Sequence, residues 1–239
     1  MEVQGPNPEF VQNLFSSISN TYDQANDLIT FGMARRWRKS LVRWSEAQSG
    51  DSVLDCASGT GDLAFDFKKV VGESGTVIGT DFCEPMLKFG REKSQKLKMP
   101  VDFQWADAMN LPFENHQFNI TSISYGIRNV ENPIQAISEM ARVTRPGGRV
   151  MILETGQNRS RFLQYGINFY CNHLVPKLGG WVSGNSDAYE YLNKSSAKFP
   201  AREEFLQIMK STDQFSECSY KSILGGASFI YKGIVKHPA

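Results

Sequence analysis

Between residues 46 and 154, short apolar runs alternate with stretches whose apolar residues recur every three or four positions. That alternation is the mark of βαβ units and a parallel sheet. It predicts strands over 52–57, 76–81, 101–105, 118–124 and 149–154. A helix is expected over 63–71, and another from Pro85, with Met86, Leu87 and Phe89 following. A third starts at Asn132-Pro133, an N-cap and first-turn pair, and places Ile134, Ile137, Met140 and Ala141 on one buried face. Pro146-Gly147-Gly148 is expected to break that helix ahead of the fifth strand.

The flanking zones have a different texture. Residues 1–45 read as a helical cap. Residues 155–200 are polar, aromatic-rich and irregular, and read as a lid or acceptor-binding insertion. Residues 201–239 read as one helix and a β-hairpin turning at Gly225-Gly226. With 46–154 as the cofactor-binding core, the chain is expected to form one domain of 239 residues.

Charge narrows the function classes. With 26 Lys and Arg against 25 Asp and Glu, the net charge is +1, which argues against a bulk nucleic-acid binder. The start, MEVQGPNPEF, lacks the basic and apolar run of a signal peptide. No stretch approaches the ~18 apolar residues of a membrane span. The four cysteines, at 56, 83, 171 and 218, form no CxxC and suit neither a zinc site nor a disulfide scaffold. A soluble, cytoplasmic protein with reduced thiols is the expectation, with room for peripheral contact at the inner face of a membrane.

The chemistry gathers at the strand ends. Asp55-Cys56-Ala57-Ser58-Gly59-Thr60-Gly61 joins a strand to a helix. Gly59 and Gly61 let backbone approach a ligand, and the helix start offers free N–H groups. Asp81 ends the second strand, 20 residues after Gly61, where an acid can accept from ribose hydroxyls. Asp107 follows the third strand, so three acids would line one sheet edge. A dinucleotide site wants GxGxxG to seat a pyrophosphate; here Asp62 and Leu63 follow Gly61. An aspartate at that helix start disfavours pyrophosphate and suits a phosphate-free nucleoside such as S-adenosylmethionine.

Together these features resemble the class I S-adenosylmethionine-dependent methyltransferases, although Ala57 stands where the first glycine of their motif belongs. More specific segments follow. Tyr22-Asp23-Gln24-Ala25-Asn26-Asp27-Leu28-Ile29-Thr30 with Trp37, Leu111-Pro112-Phe113, Ser124-Tyr125-Gly126-Ile127-Arg128-Asn129-Val130, and Arg142-Val143-Thr144-Arg145-Pro146-Gly147-Gly148 with Glu154 resemble the menaquinone/ubiquinone C-methyltransferases. The likeness runs from about residue 10 to 235. It departs at Ala25, Thr30, Ala34, Thr144 and Gly156, where the family has Met, Ser, His, an aliphatic residue and Ser. The resemblance implies an α/β fold with a Rossmann-like, mostly parallel seven-stranded sheet in the order 3-2-1-4-5-7-6. Helices would cover both faces beneath a helical and aromatic cap. It implies S-adenosylmethionine held by Tyr22, Asp55, Gly59, Thr60, Gly61, Asp81, Asp107, Ala108 and Ser124. It further implies C-methylation of a demethylated quinol with an isoprenoid tail. Demethylmenaquinol is the leading acceptor, and a 2-polyprenyl-6-methoxy-1,4-benzoquinol ring is the other.

A phenol carbon becomes a good nucleophile once the phenol, with a pKa near ~10, loses its proton. A fixed cation beside the oxygen favours that loss. Arg128 is the candidate, with Asn129 holding it or the quinol oxygen; the competing reading of Arg128 is a structural ion pair. His173, in the lid zone, is a further candidate proton acceptor. No metal constellation is seen. The basic run Arg35, Arg36, Arg38, Lys39 and Arg43 is either a solvated helix face or a contact for anionic lipid. Aromatic residues number 8 in the 46 positions of 155–200, against 9 in the 109 positions of 46–154. They serve either extra core packing or an apolar wall for a quinol ring. A methyltransferase for another lipophilic phenol or sterol-like acceptor and a non-catalytic binding protein are the alternatives. A homodimer is left open.

Overall fold

The computed structural model describes residues 4–156 and 185–237. The chain opens with three helices, α1 (Pro8–Ile18), α2 (Tyr22–Ile29) and α3 (Met33–Ser45). The alternating core follows as β1 (Ser52–Cys56), α4 (Asp62–Val71), β2 (Thr76–Asp81), α5 (Glu84–Leu97), β3 (Asp102–Trp105) and β4 (Phe118–Ser124). A single 3-10 turn, Ile127–Asn129, leads to α6 (Pro133–Val143) and β5 (Thr144–Thr155). The last elements are α7 (Ser186–Lys198), α8 (Glu203–Ser211), β6 (Phe215–Ile223) and β7 (Ser228–Val235).

The seven strands form one sheet in the order β3-β2-β1-β4-β5-β7-β6, as the resemblance implies. The first five are parallel, while β7 runs antiparallel between β5 and β6. Side-chain alternation along the strands divides the core between the two sheet faces. On β1, Leu54 packs with Ile123, Ile152 and residues of α6 and α8, whereas Val53 packs with Ile120, Met151 and residues of α3 and α4. Order reverses between β1 and β4, and in such open sheets the crevice at the carboxyl ends of the strands is where ligands bind. A third cluster, Ile18, Ala25, Ala188 and Tyr189, joins the N-terminal helices to α7.

Two expectations need correction. Strand β5 begins at Thr144, directly after α6, and runs through Pro146-Gly147-Gly148. The β4–β5 register shifts between Phe118 and Ile120, and Gly147 takes φ +74°. That irregularity accommodates a proline that cannot donate to the ladder. Residues 155–200 are not irregular throughout, because 186–198 form α7. Asn185 caps it by accepting from the Ala188 N–H at 3.1 Å, and Ala188 and Tyr189 are its buried residues. Its polar composition hides that narrow face. His173, Cys171 and the rings Phe162, Tyr165, Phe169, Tyr170 and Trp181 lie outside the described residues.

Candidate functional site

Two clefts meet at the carboxyl edge of the sheet. The first, of about 250 Å³, runs over the ends of β2, β3 and β4, with α1 above it. Its wall includes Gly59, Asp81, Met86, Trp105, Asp107, Ala108 and Asn129. The second, of about 340 Å³, lies between the glycine turn and helices α2, α3 and α7. Its polar wall includes Arg38, Asp55, Thr60 and Arg128, and its apolar wall includes Ile29, Met33, Trp37, Leu192 and Leu224. Tyr22, Ala57, Gly59, Ser124 and Tyr125 belong to both. A ligand can therefore span the clefts at those five residues.

The glycine turn sets this geometry. Gly59 has φ +56°, and a Cβ there would meet open space, so its backbone faces the clefts unobstructed. Its N–H donates to Asp81 Oδ2 at 2.8 Å, and the Cys83 N–H donates to Oδ1 at 2.9 Å. These bonds fix the carboxylate on the first cleft with acceptor capacity to spare. Burial pushes the Asp81 carboxyl up to about 6, against the opposing effect of the backbone N–H groups. Gly61 lines neither cleft; a Cβ there would lie 2.3 Å from the Phe103 ring, so its role is packing. Ala57 carries a side chain at φ +46°. Its methyl occupies the space beside Gly126, where an added Cβ would come within 2.7 Å. The departure from the glycine motif is thus accommodated by a glycine on another strand end.

Buried groups without partners mark what the clefts suit. Asp55 Oδ1 accepts from the Ser122 hydroxyl at 2.8 Å, but Oδ2 is buried without a partner among the described residues. Burial pushes this carboxyl up to about 7, with the Ser122 bond and the Arg38 charge opposing. Arg38 is also buried; its Nη2 donates to Asp62 Oδ2 at 2.5 Å, while its Nε has no partner among the described residues. An unsatisfied carboxylate oxygen and an unsatisfied guanidinium N–H on one cleft suit the ammonium and carboxylate of an amino acid. Asp81 on the adjoining cleft suits hydroxyls. That combination fits S-adenosylmethionine. Arg38 is a site residue that the sequence reading placed only within a basic run.

Thr60 and Asp23 act on each other. The Thr60 hydroxyl donates to Asp23 Oδ1 at 2.6 Å, and Lys93 Nζ donates to Asp23 Oδ2 and Asp62 Oδ1, each at 2.7 Å. Helix α2 is thereby tied to the glycine turn across the second cleft. Nearby cations, Arg38 first and then Lys93, outweigh burial and hold the Asp62 carboxyl below its usual range. Asp107 accepts from the Met109 N–H at 2.9 Å within its loop, and Ala108 lies beside it on the first cleft. Among the described residues the Ser124 hydroxyl has no partner, and it is buried where the clefts join.

Arg128 and Asn129 diverge. Arg128 lines the second cleft and Asn129 the first. Arg128 Nη1 donates to Glu154 Oε1 at 2.6 Å and to the Tyr125 carbonyl at 2.9 Å, leaving Nε buried without a partner among the described residues. Asn129 does not hold Arg128; it donates to the same carbonyl at 3.4 Å and accepts from the Tyr191 hydroxyl at 3.2 Å. Tyr125, with φ +58°, thus presents one carbonyl to both residues. Burial pushes the phenols of Tyr22 and Tyr125 up, so both remain neutral donors at physiological pH. The rings of Tyr22, Trp37, Tyr125 and Tyr189 line the second cleft.

The profile of the ubiE/COQ5 methyltransferase family matches residues 3–235. The chain is 48% identical to the ubiquinone/menaquinone biosynthesis C-methyltransferase UbiE of Bdellovibrio bacteriovorus, over 99% of this chain and 100% of that protein. It is 35% identical to the protein of the same name from Roseobacter denitrificans, over 93% of this chain and 89% of that one. Among solved structures, a Thermotoga maritima protein described as a SAM-dependent methyltransferase, possible histamine N-methyltransferase, superposes with a TM-score of 0.66. It covers 94% of this chain and 99% of its own at 18% identity, a likeness of fold alone.

Proposed function

The chain belongs to the ubiE/COQ5 methyltransferase family, and from that premise we propose that it C-methylates a demethylated quinol with S-adenosylmethionine as methyl donor. The observation that carries the reading is the junction of the clefts at Tyr22, Ala57, Gly59, Ser124 and Tyr125. One arm suits a hydroxylated nucleoside, and the other joins groups for an amino acid to an aromatic and apolar wall for the acceptor.

When bound, S-adenosylmethionine supplies an electrophilic methyl group on a sulfonium. Asp81 holds the nucleoside end, while Asp55 and Arg38 hold the amino-acid end. Arg128, oriented by Glu154 and the Tyr125 carbonyl, stabilises the phenolate of the acceptor through its unpartnered edge. A guanidinium stays protonated, so the phenolic proton leaves to water rather than to Arg128. With the phenolate so held, the neighbouring ring carbon would be the nucleophile for the methyl group the cofactor would supply; the S–CH3 bond would break to leave a neutral thioether, and the ring proton would pass to water. Tyr22, Trp37, Tyr125 and Tyr189 exclude water and align the ring, and much of the rate gain comes from that alignment.

The acceptor we favour is demethylmenaquinol. Ala34, small where the family carries His, lies on the second cleft, which supports room for a fused ring; Gly156 adds none, because a Cβ there would lie 2.1 Å from the Phe229 ring. Among the described residues no helix is long and apolar enough to cross a membrane, so a tailed acceptor would be met at the membrane surface. Mass spectrometry of quinones in cells lacking the protein tests the reading. Accumulation of one demethyl species supports it, and an unchanged quinone profile contradicts it.

A further inference from the structure

A chain of hydroxyls ties the buried Glu154 carboxylate to the second cleft. Glu154 Oε1 accepts three hydrogen bonds: from Arg128 Nη1 at 2.6 Å, from the Thr155 N–H at 2.7 Å and from the Thr155 hydroxyl at 3.0 Å. The Ser196 hydroxyl, on α7, donates in turn to the Thr155 hydroxyl oxygen at 2.6 Å. A hydroxyl has one proton to donate. The bond from Ser196 occupies the acceptor side of the Thr155 oxygen, so the Thr155 proton is committed to Glu154. Each bond in such a chain polarises the next, which strengthens the last link to the carboxylate.

The chain begins and ends on the cleft wall. Ser196, Thr155 and Arg128 all line the second cleft. On α7, Tyr189, Leu192, Asn193 and Ser196 recur every three or four positions, so one helix face turns to the cleft and carries the Ser196 hydroxyl there. Glu154 stands behind that wall with its side chain 1% exposed, against 7% for Arg128. Protein donors, not water, therefore set the carboxylate. Oε2 has no partner among the described residues, so the anchoring lies on Oε1. Arg128 Nη1 is shared between Oε1 and the Tyr125 carbonyl at 2.9 Å. The guanidinium plane, and with it the Nε edge, follows the position of Oε1.

We propose that Thr155 and Ser196 are positioning residues for methyl transfer: their hydroxyl chain holds Glu154, and through it Arg128, in the orientation that meets the acceptor oxygen. Ser196 thereby couples the seating of α7 on the cleft to the aim of the guanidinium. This rests on the reading of Arg128 as the group that stabilises the phenolate. A packing role for the two hydroxyls would change stability alone.

The test reads kcat against pH for the full-length protein with S-adenosylmethionine and reduced demethylmenaquinol, in wild type, Thr155→Val, Ser196→Ala and Arg128→Lys. Phenolate formation makes kcat rise with pH through the pKa of the bound phenol, and a misplaced cation moves that limb upward. Thr155→Val keeps the side-chain shape; it should move the limb up by about one unit and lower kcat roughly tenfold at neutral pH. Both KM values should stay within about twofold. Ser196→Ala leaves the Thr155 bond in place but unanchored, and should move the limb by about half a unit and lower kcat roughly threefold. In the Thr155→Val background it should add nothing. A limb that moves in Arg128→Lys but stays fixed in Thr155→Val overturns the proposal, and so does a loss confined to KM. A limb unmoved in Arg128→Lys as well contradicts the phenolate reading instead. Thermal melts of the free protein decide the chain separately, with no acceptor present. The costs of Thr155→Val and Ser196→Ala are expected to be non-additive, and additive costs overturn the proposal whatever the quinol assay shows.

Discussion

Arg128 donates through Nη1 to Glu154 Oε1 at 2.6 Å, with both side chains buried. The two lie 26 positions apart and are brought together because β4 pairs with β5 up to Ser124 and Leu153. Removing one member of a buried pair strands the other charge. Glu154→Gln should destabilise the protein by about 3 kcal/mol or more, lowering the melting temperature by roughly 6–12 °C for a chain of this size. Arg128→Lys loses the planar fork and should lower turnover on the order of a hundredfold. Calorimetry should find its cofactor affinity nearly unchanged; a large loss of affinity would move Arg128 from the acceptor to the cofactor.

Ala57 and Gly126 share one space. Gly126→Ala places a methyl 2.7 Å from the Ala57 Cβ and should destabilise by about 1–3 kcal/mol. Ala57→Gly alone removes that methyl and relieves its left-handed strain. The double variant should recover most of the loss, and thermal melts of the four proteins measure the coupling. Additive effects would show that the two positions are independent.

The local parts of this site were legible in the sequence. Gly59, Asp81 and Asp107 follow from turn chemistry and the spacing of strand ends. The N-cap at Asn132 is equally local, its side chain accepting from the Gln135 N–H at 3.1 Å. Arg38 was not legible as a site residue, because the face of α3 that turns inward depends on packing against the glycine turn. Glu154 lay in a recognisable segment, yet its partnership with Arg128 depends on strand pairing. Helix α7 was hidden by polar composition, and the start of β5 by a proline that a register shift accommodates.

The buried acids predict opposite responses to pH. Asp81 titrates at about 6 and Asp55 at about 7, both raised from 3.8 by burial. Both must be ionised to accept hydrogen bonds from the cofactor. Affinity should therefore be full only about a unit above pH 7, fall roughly tenfold per unit as pH drops from 7 toward 6, and approach a hundredfold per unit below about 6. In the free protein the sign reverses. The folded state binds more protons than the unfolded state between about pH 4 and 7, so these two groups lower stability as pH rises through that window. Calorimetric titration from pH 5.5 to 8 checks the first trend. Asp81→Asn should flatten it near pH 6, and an equally steep curve would remove Asp81 from the cofactor.

Lys93 joins α5 to Asp23 on α2 and Asp62 on α4, each at 2.7 Å. Lys93→Met should loosen α2 over the second cleft and raise the cofactor off-rate several-fold. The pairs are partly exposed, so wild-type binding should weaken with salt more steeply than binding by the variant. Stopped-flow dissociation at two ionic strengths reads both effects. Identical off-rates would show that the network does not hold the cap.

The central claim is methyl transfer to a quinol ring carbon at the junction between Tyr22 and Tyr125. The most direct measurement gives the purified full-length protein S-adenosylmethionine carrying a labelled methyl group. Reduced demethylmenaquinol, its phylloquinone-type counterpart and the ubiquinone precursor are supplied side by side, and the products are read by mass spectrometry. Label is expected on a ring carbon, with demethylmenaquinol turned over fastest and Arg128→Lys transferring on the order of a hundredfold more slowly. Label on oxygen, or on none of the three quinols, would contradict it.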